Sequence, residues 1–212
     1  TFPNSTLRDT AEYRTAEMAF AAGDVKAAES AYRRVLDDAP QSRLAPHAQY
    51  GLAWSLLSRG ESSSAADAAD ALLKRKDLSD DVAAKGRYLR DLARHRLKQY
   101  QPAIDDLDAF LKTKPSGSDR ADALYVLGLC QEALEDNAAA AATFATLLDT
   151  APKYAGAAKV LYELGWINKA LNKPDDAPAA VARLAKDHPK DPLAAEALFH
   201  VGEAAYDKQD YE

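Results

Sequence analysis

The sequence predicts an all-α protein built as a stack of repeated helix pairs, and three observations carry that prediction. Ala is abundant, Gly numbers only nine, and Val, Ile and Thr are sparse, so intrinsic propensity favours helix over strand almost everywhere. Six aromatics, Tyr13, Tyr50, Tyr88, Tyr125, Tyr162 and Phe199, are separated by 37, 38, 37, 37 and 37 residues. A single globular core does not need such a beat, whereas a stack of equivalent units does. Small residues and prolines recur in step with it.

The units follow in order when each is started four residues before its aromatic, at Asp9, Pro46, Ala84, Ala121, Ala158 and Ala195. Residues 1–8 then form an N-terminal segment and residues 9–212 the array. Position 8 of each unit is Ala16, Ala53, Asp91, Gly128, Gly165 and Gly202, and position 20 is Ala28, Ala65, Ala103, Ala140 and Ala177. A mid-helix Gly costs about 1 kcal/mol relative to Ala, so three at one position imply a steric demand. The expected demand is close approach of two antiparallel helices, the first offering position 8 and its partner position 20.

Between the two helices of each unit stand Gly23-Asp24, Gly60-Glu61, Lys98-Gln99, Glu135-Asp136, Asn172-Lys173 and Gln209-Asp210. Gly, Asn and Asp there suit a helix C-cap followed by an N-cap. Position 32 is Pro40, Pro115, Pro152 and Pro189, with Asp77 in the second unit, and proline ends one helix before the next begins. Tyr32, Leu36, Leu73, Leu107, Leu111, Phe144, Leu148, Val181 and Leu184 recur at three- and four-residue spacing, as a shared core of amphipathic second helices requires.

Leu127-Gly128 and Leu164-Gly165, Ala at position 20, Tyr32 and Phe144 at position 24, and Pro at position 32 together resemble the tetratricopeptide repeat. The resemblance runs from about residue 9 onward and implies a right-handed α-solenoid, with five complete units plus the first helix of a sixth. The period exceeds the usual one of about 34 by about three residues, placed after the position-32 proline. That longer form is similar to repeats of bacterial cell-envelope proteins, including outer-membrane assembly lipoproteins and Tol-Pal-associated periplasmic proteins. The periplasm or cell envelope is the expected setting, with the cytoplasm as the alternative.

Two units depart from the pattern. The third has Arg90-Asp91 in place of Leu-Gly and one extra residue in the connection before it, so looser or shifted packing is expected near residues 76–98. The sixth stops at Tyr211-Glu212, before any second helix. Leu198, Val201 and Ala205 are expected to lack a partner helix, and the chain to be a piece of a longer array. An exposed apolar face at this end suits pairing with another copy of the chain, as a homo-oligomer. Thr1 in place of an initiating Met likewise suggests a mature product or an excised piece.

The resemblance also implies that first helices line the concave side, with positions 2, 5, 9, 12 and 13 facing a partner. Position 5 gives Tyr13, Tyr50, Tyr88, Tyr125 and Tyr162; position 9 includes Trp54 and Trp166, and position 12 includes His95, Glu132, Lys169 and Tyr206. Spacings of four and three place these positions on one helix stripe, and aromatics on such a stripe suit an interface hot spot. A tyrosine at position 5 also packs against the neighbouring unit, so the ladder is in part scaffold. In the third unit Lys85, Arg87, Arg90, Arg94, Arg96 and Lys98 stand against Asp91. That excess could attract an acidic segment, with Lys85, His95 and Arg96 facing the groove, although such side chains commonly form solvated faces. The Lys and Asn clamp for a terminal carboxylate, found in chaperone-tail-binding members, is not built here.

Other chemistries find no support. A net charge of −6 lacks the basic excess that a phosphate backbone requires, so nucleic acid is not an expected partner. His47, His95, His188 and His200 are scattered and Cys130 is the sole cysteine, so no metal site, disulfide or nucleophile is expected. No phosphate loop or nucleophile elbow occurs. Asp105-Asp106 and Asp175-Asp176 lie near second-helix starts, where acids complement the helix dipole. No long apolar run marks a membrane span. Asn4-Ser5-Thr6 fits the glycosylation pattern, which short polar termini often meet.

The expected function is a non-catalytic scaffold without cofactor, binding a protein or peptide partner on its first helices. A self-assembly element is one alternative. A regulatory domain attached to a catalytic domain outside this chain is the other.

Overall fold

The structure is a computed structural model that describes residues 8–173 and 176–207, apart from the side chains of 203–207. Asn4-Ser5-Thr6, the Gln209-Asp210 turn and the side chains of Ala205 and Tyr206 therefore lie outside the described residues. The described residues form helix pairs at the predicted places: α1 (Arg8–Ala21) with α2 (Val25–Asp38), α3 (Ala45–Ser58) with α4 (Ser62–Leu73), and α5 (Asp80–Arg96) followed by α6 (Tyr100–Lys112). Then come α7 (Gly117–Ala133) with α8 (Asn137–Thr150), α9 (Ala157–Ala170) with α10 (Asp176–Asp187), and α11 (Pro192–Asp207).

Two compact units are present, Thr1–Ala103 and Ile104–Glu212. In the first, α2 packs between α1 and α3, and α4 between α3 and α5; α3 also touches both α1 and α5. In the second, α8 packs between α7 and α9, and α10 between α9 and α11, while α9 also meets α11. Among the described residues these contacts join helices close together in sequence, which is the contact pattern of an all-α solenoid.

Every described hairpin turn closes in the same way. Position 15 is left-handed each time, with φ of 80° at Gly23, 82° at Gly60, 60° at Lys98, 62° at Glu135 and 55° at Asn172. The next residue's N–H reaches back five residues: Asp24 to Ala19, Glu61 to Leu56, Gln99 to Arg94, Asp136 to Gln131 and Lys173 to Asn168. With the position-15 N–H bonded three residues back, this is a Schellman motif repeated five times. Asp24 and Asp136 then cap the second helix, accepting from the N–H groups of Ala27 at 3.0 Å and Ala139 at 3.1 Å.

The close approach of the helices is present, and position 24 joins position 20 as the partner of position 8. A Cβ added at Gly128 would lie 2.3 Å from Phe144 Cε1, and its three nearest atoms all belong to that ring. In this repeat position 8 is bare because the position-24 ring fills the space. At Gly165 the nearest atom is Val181 Cγ2 at 3.3 Å, again position 24, with the Ala177 carbonyl of position 20 at 3.9 Å. The same device joins successive repeats, since a Cβ at Gly51 would lie 2.3 Å from Tyr32 Cζ. Tyr32 and Phe144 are among the largest fully buried side chains, and Ala16, Ala28, Ala53, Ala65 and Ala140 are fully buried beside them.

In the third repeat Asp91 occupies the small position, 1% exposed. Its Oδ1 accepts from Arg90 Nε at 3.2 Å and Arg94 Nη1 at 3.4 Å. A buried carboxylate held by two guanidinium groups stands where its equivalents have no charge.

Two substitutions test this packing by urea denaturation. Gly128→Ala should destabilise by about 1–3 kcal/mol through overpacking, despite its better helix propensity, and combining it with Phe144→Leu should cost less than the two changes summed. Glu135→Gly should instead stabilise by about 0.5–1 kcal/mol, because it relieves a left-handed residue that carries a side chain.

Candidate partner-binding surface

In the first unit the position-5 aromatics do not act as separate rungs. Tyr13 on α1 lies 6.0 Å from the ring of Tyr32 and 6.4 Å from that of His47. Tyr32 donates its hydroxyl to Glu17 Oε1 at 3.0 Å. Burial, helped by the charge of Glu17, pushes the Tyr13 phenol up to about 12. Further along, Tyr50 stacks on Trp54 and Trp54 on Tyr88, each at 6.4 Å with interplanar angles of 24° and 25°. The row runs position 5, position 9, position 5, so Trp54 ties α3 to α5. Aromatic pairs of this kind contribute about 0.5–1.5 kcal/mol each beyond their buried area.

The basic α5 is engaged with the scaffold. Lys85 Nζ pairs with Asp81 at 2.9 Å in solvent, and Arg90 Nη1 reaches Asp70 at 3.5 Å. Arg96 Nη1 donates to the carbonyl of Leu57 at 2.7 Å, in the last turn of α3, where helix carbonyls need partners. His95 packs on the Tyr100 ring at 5.4 Å. Of the three residues expected to face the groove, Arg96 thus holds a helix end and His95 a neighbouring ring.

In the second unit Tyr125 meets Tyr154 at 6.0 Å, and Tyr162 meets Trp166 edge-on at 6.1 Å. Tyr162 also donates its hydroxyl to Glu196 Oε1 at 2.8 Å. The next first helix supplies His200, 5.1 Å from Trp166, while Phe199, which keeps the 37-residue beat, is 63% exposed. Lys169 Nζ lies 5.0 Å over the Trp166 ring, a cation–π contact. Tyr206 is outside the described side chains.

Carboxylates share this second face; sequence reasoning placed Glu132 on the partner-facing stripe and gave Glu163 and Asp122 no role. Burial and then the charge of Glu163 push the Glu132 carboxyl up to about 7, and burial raises Glu163 as well. Tyr125 is raised by burial and then by Glu163 and Glu132. Burial also raises Asp122, against an opposing hydrogen bond from Tyr154. Among the described residues no cation offsets either Glu132 or Glu163. Glu132 lies on the position-12 stripe and was legible there; Glu163, at position 6, comes close only because adjacent repeats stack.

The described residues contain no group of three or more His, Cys, Asp and Glu side chains that could hold a metal ion. None of their helices is long and apolar enough to cross a membrane. Cys130 is a buried thiol.

The raised Glu132 carboxyl has a pH signature. Its folded value of about 7 exceeds the ordinary 4.5, so its contribution to stability is complete below about pH 4.5 and is lost as pH rises through about 7. Glu132→Gln removes this term. The melting temperature of the variant should gain on that of the native chain between about pH 5 and pH 7 and hold its lead above, as thermal scans at matched ionic strength would record.

Comparison with known proteins adds the family. None of the curated proteins matches the chain by sequence. Among solved structures, residues 41 to the end of MamA from Desulfovibrio magneticus RS-1 align at 18% identity and TM-score 0.69, covering 86% of this chain and 97% of that one. TTC0263, a thermophilic TPR protein of Thermus thermophilus, aligns at 21% identity and TM-score 0.69, covering 90% and 99%. YrrB, described as a TPR protein with an unusual peptide-binding site, aligns at 16% identity and TM-score 0.62, covering 93% and 97%. These likenesses establish the fold. By sequence, residues 13–81, 91–155 and 162–212 match the tetratricopeptide repeat, and the chain belongs to that family.

Proposed function

We propose that this protein is a non-catalytic scaffold that binds a peptide or protein segment along its first-helix faces. The Tyr50–Trp54–Tyr88 row serves in one unit and the Tyr162–Trp166–His200 set in the other. One observation carries the reading: both tryptophans of the chain stand at position 9, half-buried, with rings already held by neighbours. Large rings fixed before a partner arrives lose little entropy on binding, so they can act as anchors. TPR proteins bind protein or peptide partners, and the peptide-binding site attributed to YrrB supports the same use of the fold here. The long repeat period makes the bacterial cell envelope the proposed setting.

Self-association is a second reading, favoured by α11, where Leu198 is 49% and Phe199 63% exposed. Sedimentation over a range of concentrations distinguishes it, since a scaffold for other partners should remain monomeric.

Trp54→Ala and Trp166→Ala test the first reading in pull-downs with the full chain. Each should weaken partner capture at least tenfold, about 1.4 kcal/mol, with helicity retained by circular dichroism. Undiminished capture by both folded variants would overturn it.

A further inference from the structure

We propose that the segment bound on the second unit's first-helix face is basic, with Lys or Arg side chains that meet Glu132 and Glu163 while its apolar residues lie against Tyr125, Leu129 and Trp166. This rests on the scaffold reading above and specifies the chemistry of the partner. Tyr125, Leu129, Tyr162 and Trp166 are all partly exposed on α7 and α9, so a segment could gain apolar contact there. The charges decide which segment. Glu132 on α7 and Glu163 on α9 are both partly buried, and among the described residues no cation forms an ion pair with either carboxylate. Burial and the charge of Glu163 disfavour the ionised form of Glu132 accordingly.

Once both carboxylates are ionised, their desolvation and mutual repulsion without a counter-ion work against folding. An acidic guest would add to the repulsion, and a neutral one would cover both carboxylates without pairing them. A guest cation would satisfy them, and in a partly dehydrated site the pairing is stronger than in water. A free metal ion is a poor fit, because no three-ligand cluster exists among the described residues. The face already accommodates one ammonium group over an aromatic ring, Lys169 over Trp166 at 5.0 Å, and Tyr125 offers a second ring beside the carboxylates. Asp122, tied to Tyr154, adds to the negative potential.

Fluorescence anisotropy with three labelled synthetic peptides tests this: one alternating Leu with Lys and Arg, one with Glu in place of every cation, and one with Gln there. The full chain should bind the basic peptide at least tenfold more tightly than either of the others. The pair Glu132→Gln and Glu163→Gln should lose at least tenfold, because the amides keep the volume and remove the charge. A charge-matched control, Asp67→Asn with Asp149→Asn at exposed sites on α4 and α8, should lose no more than twofold. Equal binding of the three peptides, an unaffected glutamine pair, or an equal loss in the control would each overturn the proposal. Trp166→Ala separates the two levels. If it weakens the basic peptide while the glutamine pair does not, the face is used and only the charge inference fails; if it changes nothing, the scaffold reading itself fails on this face.

Discussion

The structure depends first on how closely two helices can approach within a hairpin, and a ring set against a bare backbone decides that distance. Phe144 fills the space that a side chain at Gly128 would occupy, and between successive repeats Tyr32 does the same against Gly51. A glycine in mid-helix weakens the helix locally, but it lets an entire aromatic side chain be buried, an apolar transfer that outweighs the propensity loss. The left-handed residue at position 15 complements this contact. It reverses the chain in three residues, so the second helix returns in the register that brings position 24 opposite position 8. With that register fixed, positions 5, 9 and 12 of the first helix are left to meet the neighbouring repeat or solvent.

The two compact units carry the same grammar with different chemistry. In the first, the aromatic row closes on itself by stacking, and the cations of α5 are drawn into contacts with Asp70, Asp81, Asp91 and the end of α3. In the second, acids remain partly buried without cationic relief. A neutral amide of the same shape would cost less to bury, so these acids weigh against stability unless a bound cation supplies the missing charge. Repeat architecture permits this specialisation, since each unit contacts only its neighbours and can change its face without disturbing the rest.

Much of the fold was legible because it follows from local rules repeated along the chain. The turns at Gly23, Gly60, Lys98, Glu135 and Asn172 announce themselves by position, and Pro40, Pro115 and Pro152 punctuate the second helices. Less legible was anything formed between repeats. The pairing of position 8 with position 24 needed ring volumes placed in space, where small residues at position 20 had suggested a simpler match. His200, one residue off the beat, takes the place against Trp166 that Phe199 was in register to fill. The destination of Arg96 was equally hidden, because its acceptor is the backbone of Leu57, and backbone carbonyls leave no mark in a sequence. Glu163 stands outside the stripe that family resemblance defines, so its approach to Glu132 emerges only from stacking.

The placement of the two indoles has a spectroscopic consequence. Trp54 belongs to the first compact unit and Trp166 to the second, and the chain has no other tryptophan. Trp54 lies in a near-parallel stack of phenols, whereas Trp166 is edge-on to an imidazole and covered by an ammonium group. Their emission should therefore differ in quenching. Each unit thus contains its own intrinsic fluorophore, able to report on melting or occupancy of that unit independently of the other.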